Sequence, residues 1–123
     1  MNYKQILDDI IHQYESKYLF APTVDVQSFA LSRQGVIILD FNLLKNPNAF
    51  FIFSVLHEIG HCETYKPKQT KATREFLATQ WAIKEFNALG LKLTKSNQTA
   101  WQEYIYSFAP KNKSKYKLDW NLK

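Results

Sequence analysis

The sequence predicts an α+β fold on three observations: amphipathic helical periodicity near both ends, a short β-prone middle, and a mostly apolar helix carrying His57-Glu58-Ile59-Gly60-His61. At 123 residues, with 46% hydrophobic and 15% aromatic composition, the chain can bury one core without disulfides, which excludes a disordered segment. No linker divides it, so residues 1–123 read as a single domain.

Residues 2–18 place Tyr3, Ile6, Leu7, Ile10, Ile11, Tyr14 and Tyr18 at three- and four-residue spacings, with Asp8, Asp9, Gln13 and Lys17 opposite, predicting an amphipathic helix. His12 falls between the faces and reads as a partly exposed histidine. The Ala21-Pro22 step should break this helix. Thr23-Val24-Asp25-Val26 and Phe29-Ala30-Leu31 are short β-prone pieces, and Arg33-Gln34-Gly35 predicts a hairpin turn into Val36-Ile37-Ile38-Leu39-Asp40-Phe41. The apolar run from Val36 to Leu39 suggests a strand buried on both faces. A small, mainly antiparallel sheet over 23–41 follows. Asn46 or Asn48 can cap the next helix, with Pro47 in its first turn and an expected span of 48–63. The polar stretch from Glu63 to Thr70 reverses the chain, and a further helix should run from Thr70–Thr73 to Leu89, ending at Gly90. Residues 97–109 predict a last helix, capped by Ser96 or Asn97 and ended by Pro110. Its stripe of Trp101, Tyr104, Ile105 and Phe108 reads as core.

The motif carries the chemistry. Residues four apart share a helix face, so His57 and His61 can reach one metal ion while Glu58 lies beside them as a general base. A catalytic zinc site keeps one coordination position open, so two histidines, one more ligand and a base imply hydrolysis. Gly60 costs helix stability, up to about 1 kcal/mol against Ala, and suggests a close approach to the backbone. Cys62 lies about 100° around the helix from His61 and reads as a buried small residue.

A third histidine is absent downstream, since Thr64 and Pro67 stand where a longer histidine motif would need Gly and His, and no histidine follows His61. Among the acids, Glu63 is only two residues past His61, and Glu85 lies about two and a half turns beyond Glu75. Glu75 is the best candidate, provided its helix packs on the motif helix. Its plain alternative is a surface acid favoured by the helix dipole.

These pieces resemble the ImmA/IrrE family of zinc metallopeptidases. The resemblance covers roughly residues 23–90 and rests on the strand ending in Asp40, on His57-Glu58-Ile59-Gly60-His61, and on Glu75 followed by Ala78, Trp81 and Ala82. Thr79 departs from the Asn or Asp usual in the family, which weakens the hydrogen bond expected from that position. The resemblance implies a zincin-like fold, Zn2+ held by His57, His61 and Glu75, and Glu58 as catalytic base. Ala78 and Ala82, one turn apart, would let the two helices pack closely. It also implies proteolysis of a separately encoded regulatory protein, typically a phage or mobile-element repressor. Glu58 would take the proton of the attacking water and return it to the leaving amine. Tyr65, Tyr104 and Tyr106 are candidate donors to the developing oxyanion. The competing function is a non-enzymatic, zinc-containing module that regulates its target by association.

The formal charge is +5, and five lysines against Asp119 from residue 110 onward place +4 of it at the C-terminus. Tyr116, Leu118 and Trp120 interleave with those lysines, predicting a strand or docked extended segment, with nucleic-acid binding as the lesser reading. No apolar run approaches the roughly 20 residues that span a bilayer. A single cysteine and the lack of a charged-then-apolar leader point to the cytoplasm.

Overall fold

The computed structural model describes residues 2–24 and 27–123. Asp25 and Val26, half of the first β-prone piece, lie outside the described residues. In chain order the elements are α1 (Tyr3–Tyr14), β1 (Leu19–Thr23), β2 (Phe29–Leu31), β3 (Val36–Asp40), α2 (Phe41–Lys45), α3 (Ala49–Glu63), α4 (Lys71–Ala88) and α5 (Lys95–Tyr106), then a 3-10 turn at Lys113–Tyr116. The arrangement is α+β, as composition and periodicity predict.

Helix α1 is capped by the Asn2 side chain and stops at Tyr14, four residues short of the expected end. The apolar periodicity persists in space although the helix does not: Tyr18 stacks on Tyr14 with ring centroids 6.4 Å apart. Beyond it, Pro22 sits inside β1 instead of in a turn. Proline is tolerated there because β1 is an edge strand whose only neighbour is β3.

The sheet order is β1-β3-β2, with β1 parallel and β2 antiparallel to β3. The sheet is therefore mixed, not mainly antiparallel, and begins at Leu19. The hairpin turn forms as expected, with Gly35 at φ 68° and Gln34 N donating to Leu31 O at 3.1 Å. Central strand β3 buries Ile37 and Leu39, while Val36, Ile38 and Asp40 are only partly covered. One face is thus in the core and the other only partly covered, in place of the two buried faces the apolar run suggested. Asp40 caps the short α2, which periodicity does not reveal.

Helix α3 is the centre of the molecule: the sheet packs on one side and α4 on the other, and eight of its fifteen residues are buried. Asn48 is the cap that forms, accepting from Phe51 N at 2.8 Å, with Pro47 ahead of the helix instead of in its first turn. Thr70 caps α4, and Gly90, at φ 75°, closes it: Gly90 N donates to Asn87 O and Leu91 N to Phe86 O, the paired bonds of a Schellman end. Thr94 caps α5, so this helix starts two residues before the expected position and ends at Tyr106, ahead of Pro110.

The lysine-rich end docks, with no strand. Tyr116 and Leu118 are buried, and side chains of α4 and α5 hold the backbone: Asn87 Nδ2 donates to Trp120 O and Leu122 O, and Gln80 Oε1 accepts from Asp119 N. Gln102 both accepts from Leu118 N and donates to Tyr116 O. Among the described residues, no helix is long and apolar enough to cross a membrane.

Candidate metal centre

The centre is built where α3 and α4 touch. A Cβ on Gly60 would lie 2.5 Å from Ala78 O and 3.1 Å from Ala78 Cα, so only glycine allows this contact. Ala78 and Ala82 are fully buried, and the reversing loop lays α4 alongside α3. That contact puts Glu75, in the second turn of α4, opposite the histidine pair.

His57, His61 and Glu75 converge, with ligand-type atoms all within 4.8 Å of one another. The two Nε2 atoms are 3.1 Å apart, Glu75 Oε2 lies 2.6 Å from His61 Nε2, and Oε1 lies 3.5 Å from His57 Nε2. Two nitrogens bound tetrahedrally to zinc at 2.0–2.1 Å would sit about 3.3 Å apart, so the spacing suits such an ion. His12 is remote from this group, exposed and paired with Glu15. Glu63 faces Lys17 and Tyr18 at 2.6 Å each, which removes it as a ligand.

Electrostatics separates the two acids. Burial alone would raise Glu75, but hydrogen bonding to His57 and His61 and the charge of His61 outweigh it and hold the carboxyl well below its usual range. Glu58 has no hydrogen-bond or ion-pair partner among the described residues. Desolvation, reinforced by the Glu75 charge, pushes it up to about 8. Burial also lowers His57, which favours its neutral, metal-binding form despite Glu75.

Thr79 makes the hydrogen bond its residue type was expected to weaken. Its hydroxyl donates to Glu75 O at 2.7 Å, back along the helix, so the oxygen's lone pairs receive Nδ1–H of His57 at 3.0 Å. With that proton on Nδ1, the Nε2 lone pair of His57 faces the other ligand atoms. Thr79 makes both bonds while fully buried.

Of the three candidate tyrosines, Tyr104 stands at the centre, donating to Glu75 Oε1 at 2.6 Å while 42% exposed. Tyr106 lies under Lys113, and Tyr65 lines the same recess as His57, His61 and Glu75 with no hydrogen bond to any of them. The α5 stripe is therefore split: Ile105 is core, whereas Tyr104 belongs to the site and Trp101 packs 4.8 Å from the His57 ring. Trp101 and Tyr104 share an α5 face, a signal that helical spacing carried but that apolar character disguised. Cys62 is half-buried instead of buried, and desolvation raises its thiol to about 11, so it stays protonated.

Two recesses, of about 490 and 470 Å³, meet at the centre and share Ser28, His57, Glu58 and Tyr104, and the smaller also takes in His61 and Glu75. The arrangement can hold a divalent ion against a solvent-reachable carboxyl group that is not itself engaged. No protein-family model, curated protein or solved structure matches the chain, so the chemistry of the site is read from its residues and their geometry.

Proposed function

We propose that the chain is a zinc-dependent endopeptidase of zincin-like fold and ImmA/IrrE type, acting in the cytoplasm on a regulatory protein such as a separately encoded repressor. The observation that carries this reading is Glu58: a raised carboxyl without a hydrogen-bond or ion-pair partner among the described residues, beside a His-His-Glu group and lining both recesses. A pure scaffold gains nothing from a desolvated acid there.

His57, His61 and Glu75 would hold the ion, which when bound supplies the Lewis acid that acidifies water and polarises a peptide carbonyl. Thr79 keeps the His57 proton on Nδ1, away from the ligand face. Glu58 takes a proton from the attacking water, whose oxygen bonds to the carbonyl carbon. As the C–N bond breaks, Glu58 returns that proton to the leaving amine nitrogen. One carboxyl serves both halves of this exchange, as base when ionised and as acid once it holds the proton. Tyr104 steadies Glu75 by donating its single phenolic proton to Oε1. The repressor as substrate rests on the family resemblance.

Glu58→Gln should retain one zinc per chain by metal analysis while peptide-bond cleavage falls at least about 100-fold. Glu75→Ala should lose the stoichiometric zinc. Full biological activity in Glu58→Gln would instead favour regulation by association.

A further inference from the structure

The two recesses differ in kind. The larger is walled by Leu43, Phe50, Phe51 and Trp101, and two of these are substantially exposed apolar residues, Phe50 at 43% and Leu43 at 37%. The smaller carries Arg33, Lys71 and Arg74, all exposed. Arg33 and Arg74 have no ion-pair partner among the described residues, and Lys71 lies 3.6 Å from Glu75 Oε2. Of the acids in that recess, Glu58 and Glu75 belong to the centre and Glu75 pairs with Lys71, so Arg33 and Arg74 are the cations left without an acidic partner among the described residues.

Both recesses are in the range of ligand sites, about 300–1,000 Å³. A chain segment occupying both would pass the residues they share, Ser28, His57, Glu58 and Tyr104. Exposed aromatic and aliphatic walls favour a bulky apolar side chain, whereas uncompensated cations favour a carboxylate.

We propose that the cleft selects an extended peptide segment with a large apolar side chain on one side of the bond lying over Glu58 and an Asp or Glu on the other. As a statement about cleavage it rests on the peptidase reading; as a statement about binding it does not. Leu43, Phe50 and Trp101 set the apolar preference, and Arg33 and Arg74 the acidic one.

The test uses synthetic fluorescent peptides with Leu and Asp flanking a central bond in both orders, together with Leu→Ser and Asp→Lys exchanges. Binding is measured by anisotropy to zinc-loaded Glu58→Gln protein, and cleavage with the wild type. Each exchange should weaken binding, with Asp→Lys costing about fivefold per cation engaged and less at high salt. The double variant Arg33→Glu/Arg74→Glu should reverse the charge preference, and Leu43→Asp, on an exposed position, should reduce the apolar one. Equal affinity for Asp and Lys peptides, a preference surviving in the double variant, or no binding by any peptide overturns the proposal. Selective binding without cleavage by the wild type overturns the peptidase reading instead and leaves the cleft assignment standing. Cleavage indifferent to both exchanges does the reverse.

Discussion

The junction of α3 with α4 and the wall formed by β2, α2 and the start of α3 face the same centre but are built on opposite terms. At the junction, Gly60 meets the Ala78 backbone, Thr79 and Glu75 are almost wholly buried, and His57 Nδ1 and both carboxylate oxygens of Glu75 have partners. Along the wall, Phe29, Leu31, Phe41, Leu43 and Phe50 are each at least 36% exposed, and Arg33 stands unpaired among the described residues. The difference assigns separate duties. A close-packed junction holds ligand atoms to within tenths of an ångström, which metal binding needs. An open wall leaves surface with unmet apolar and electrostatic demand, which recognition uses.

If the junction is as rigid as its packing indicates, Gly60→Ala is the substitution that should disturb it most. Alanine is the better helix former by about 1 kcal/mol. Its methyl nevertheless has to displace α4 backbone, and overpacking of this kind costs about 1–3 kcal/mol or more. A lower thermal midpoint together with weakened zinc binding is expected. An unchanged midpoint would mean that α3 and α4 slide freely and that the contrast with the wall is overstated.

Thr79→Val keeps the shape and removes the hydroxyl, leaving His57 Nδ1–H buried without its acceptor. Losing a partner of this kind typically lowers metal affinity about 10–100-fold. Competition against a chelator should show that loss, and Thr79→Ser should restore most of it, as a merely steric role would not.

The smallest effect concerns the metal-free protein. Glu58 has a folded value of about 8 against 4.5 ordinarily, so between those limits the folded state holds the extra proton and stability falls as pH rises. His57 is shifted down and acts in the opposite sense, with its contribution complete above its ordinary 6.5. Glu75, also shifted down, matters only below 4.5. The clean window is therefore pH 6.5 to 8, where Glu58 alone removes up to about 2 kcal/mol. Thermal melts of chelated protein should show the midpoint dropping by about 5 °C or more across that window, and Glu58→Gln should flatten the drop. A wild-type curve as flat as the variant's would show that Glu58 is solvated like the wall and not sunk with the junction.

Much of this centre was legible in the chain, for reasons that differ by residue. His57 and His61 share a face through helix geometry alone, and Glu75 emerges by elimination because no later histidine competes. Tyr104 could be nominated but not chosen over Tyr65 and Tyr106, since selection depends on how α5 lies against α4. Thr79 was misjudged because residue type suggests reach, while the actual reach follows from how near α4 comes to His57. Near the N-terminus, Tyr18 extended the periodicity of α1 into a segment where the backbone had already turned, and Pro22 disguised an edge strand.

What the sequence determined by itself was local: the helix carrying the motif, an asparagine cap from Asn46 or Asn48, the Gly35 turn, the Gly90 end of α4, and the ligand types available. Each follows from backbone sterics or from residue spacing within a few positions. Tertiary structure alone decided the parallel pairing of β1 with β3, the single buried face of β3, the hydrogen bond from His57 to Thr79, and the meeting of an apolar and a cationic recess over Glu58. Those features depend on distances between segments far apart in the chain, which are set by how side chains fill the core.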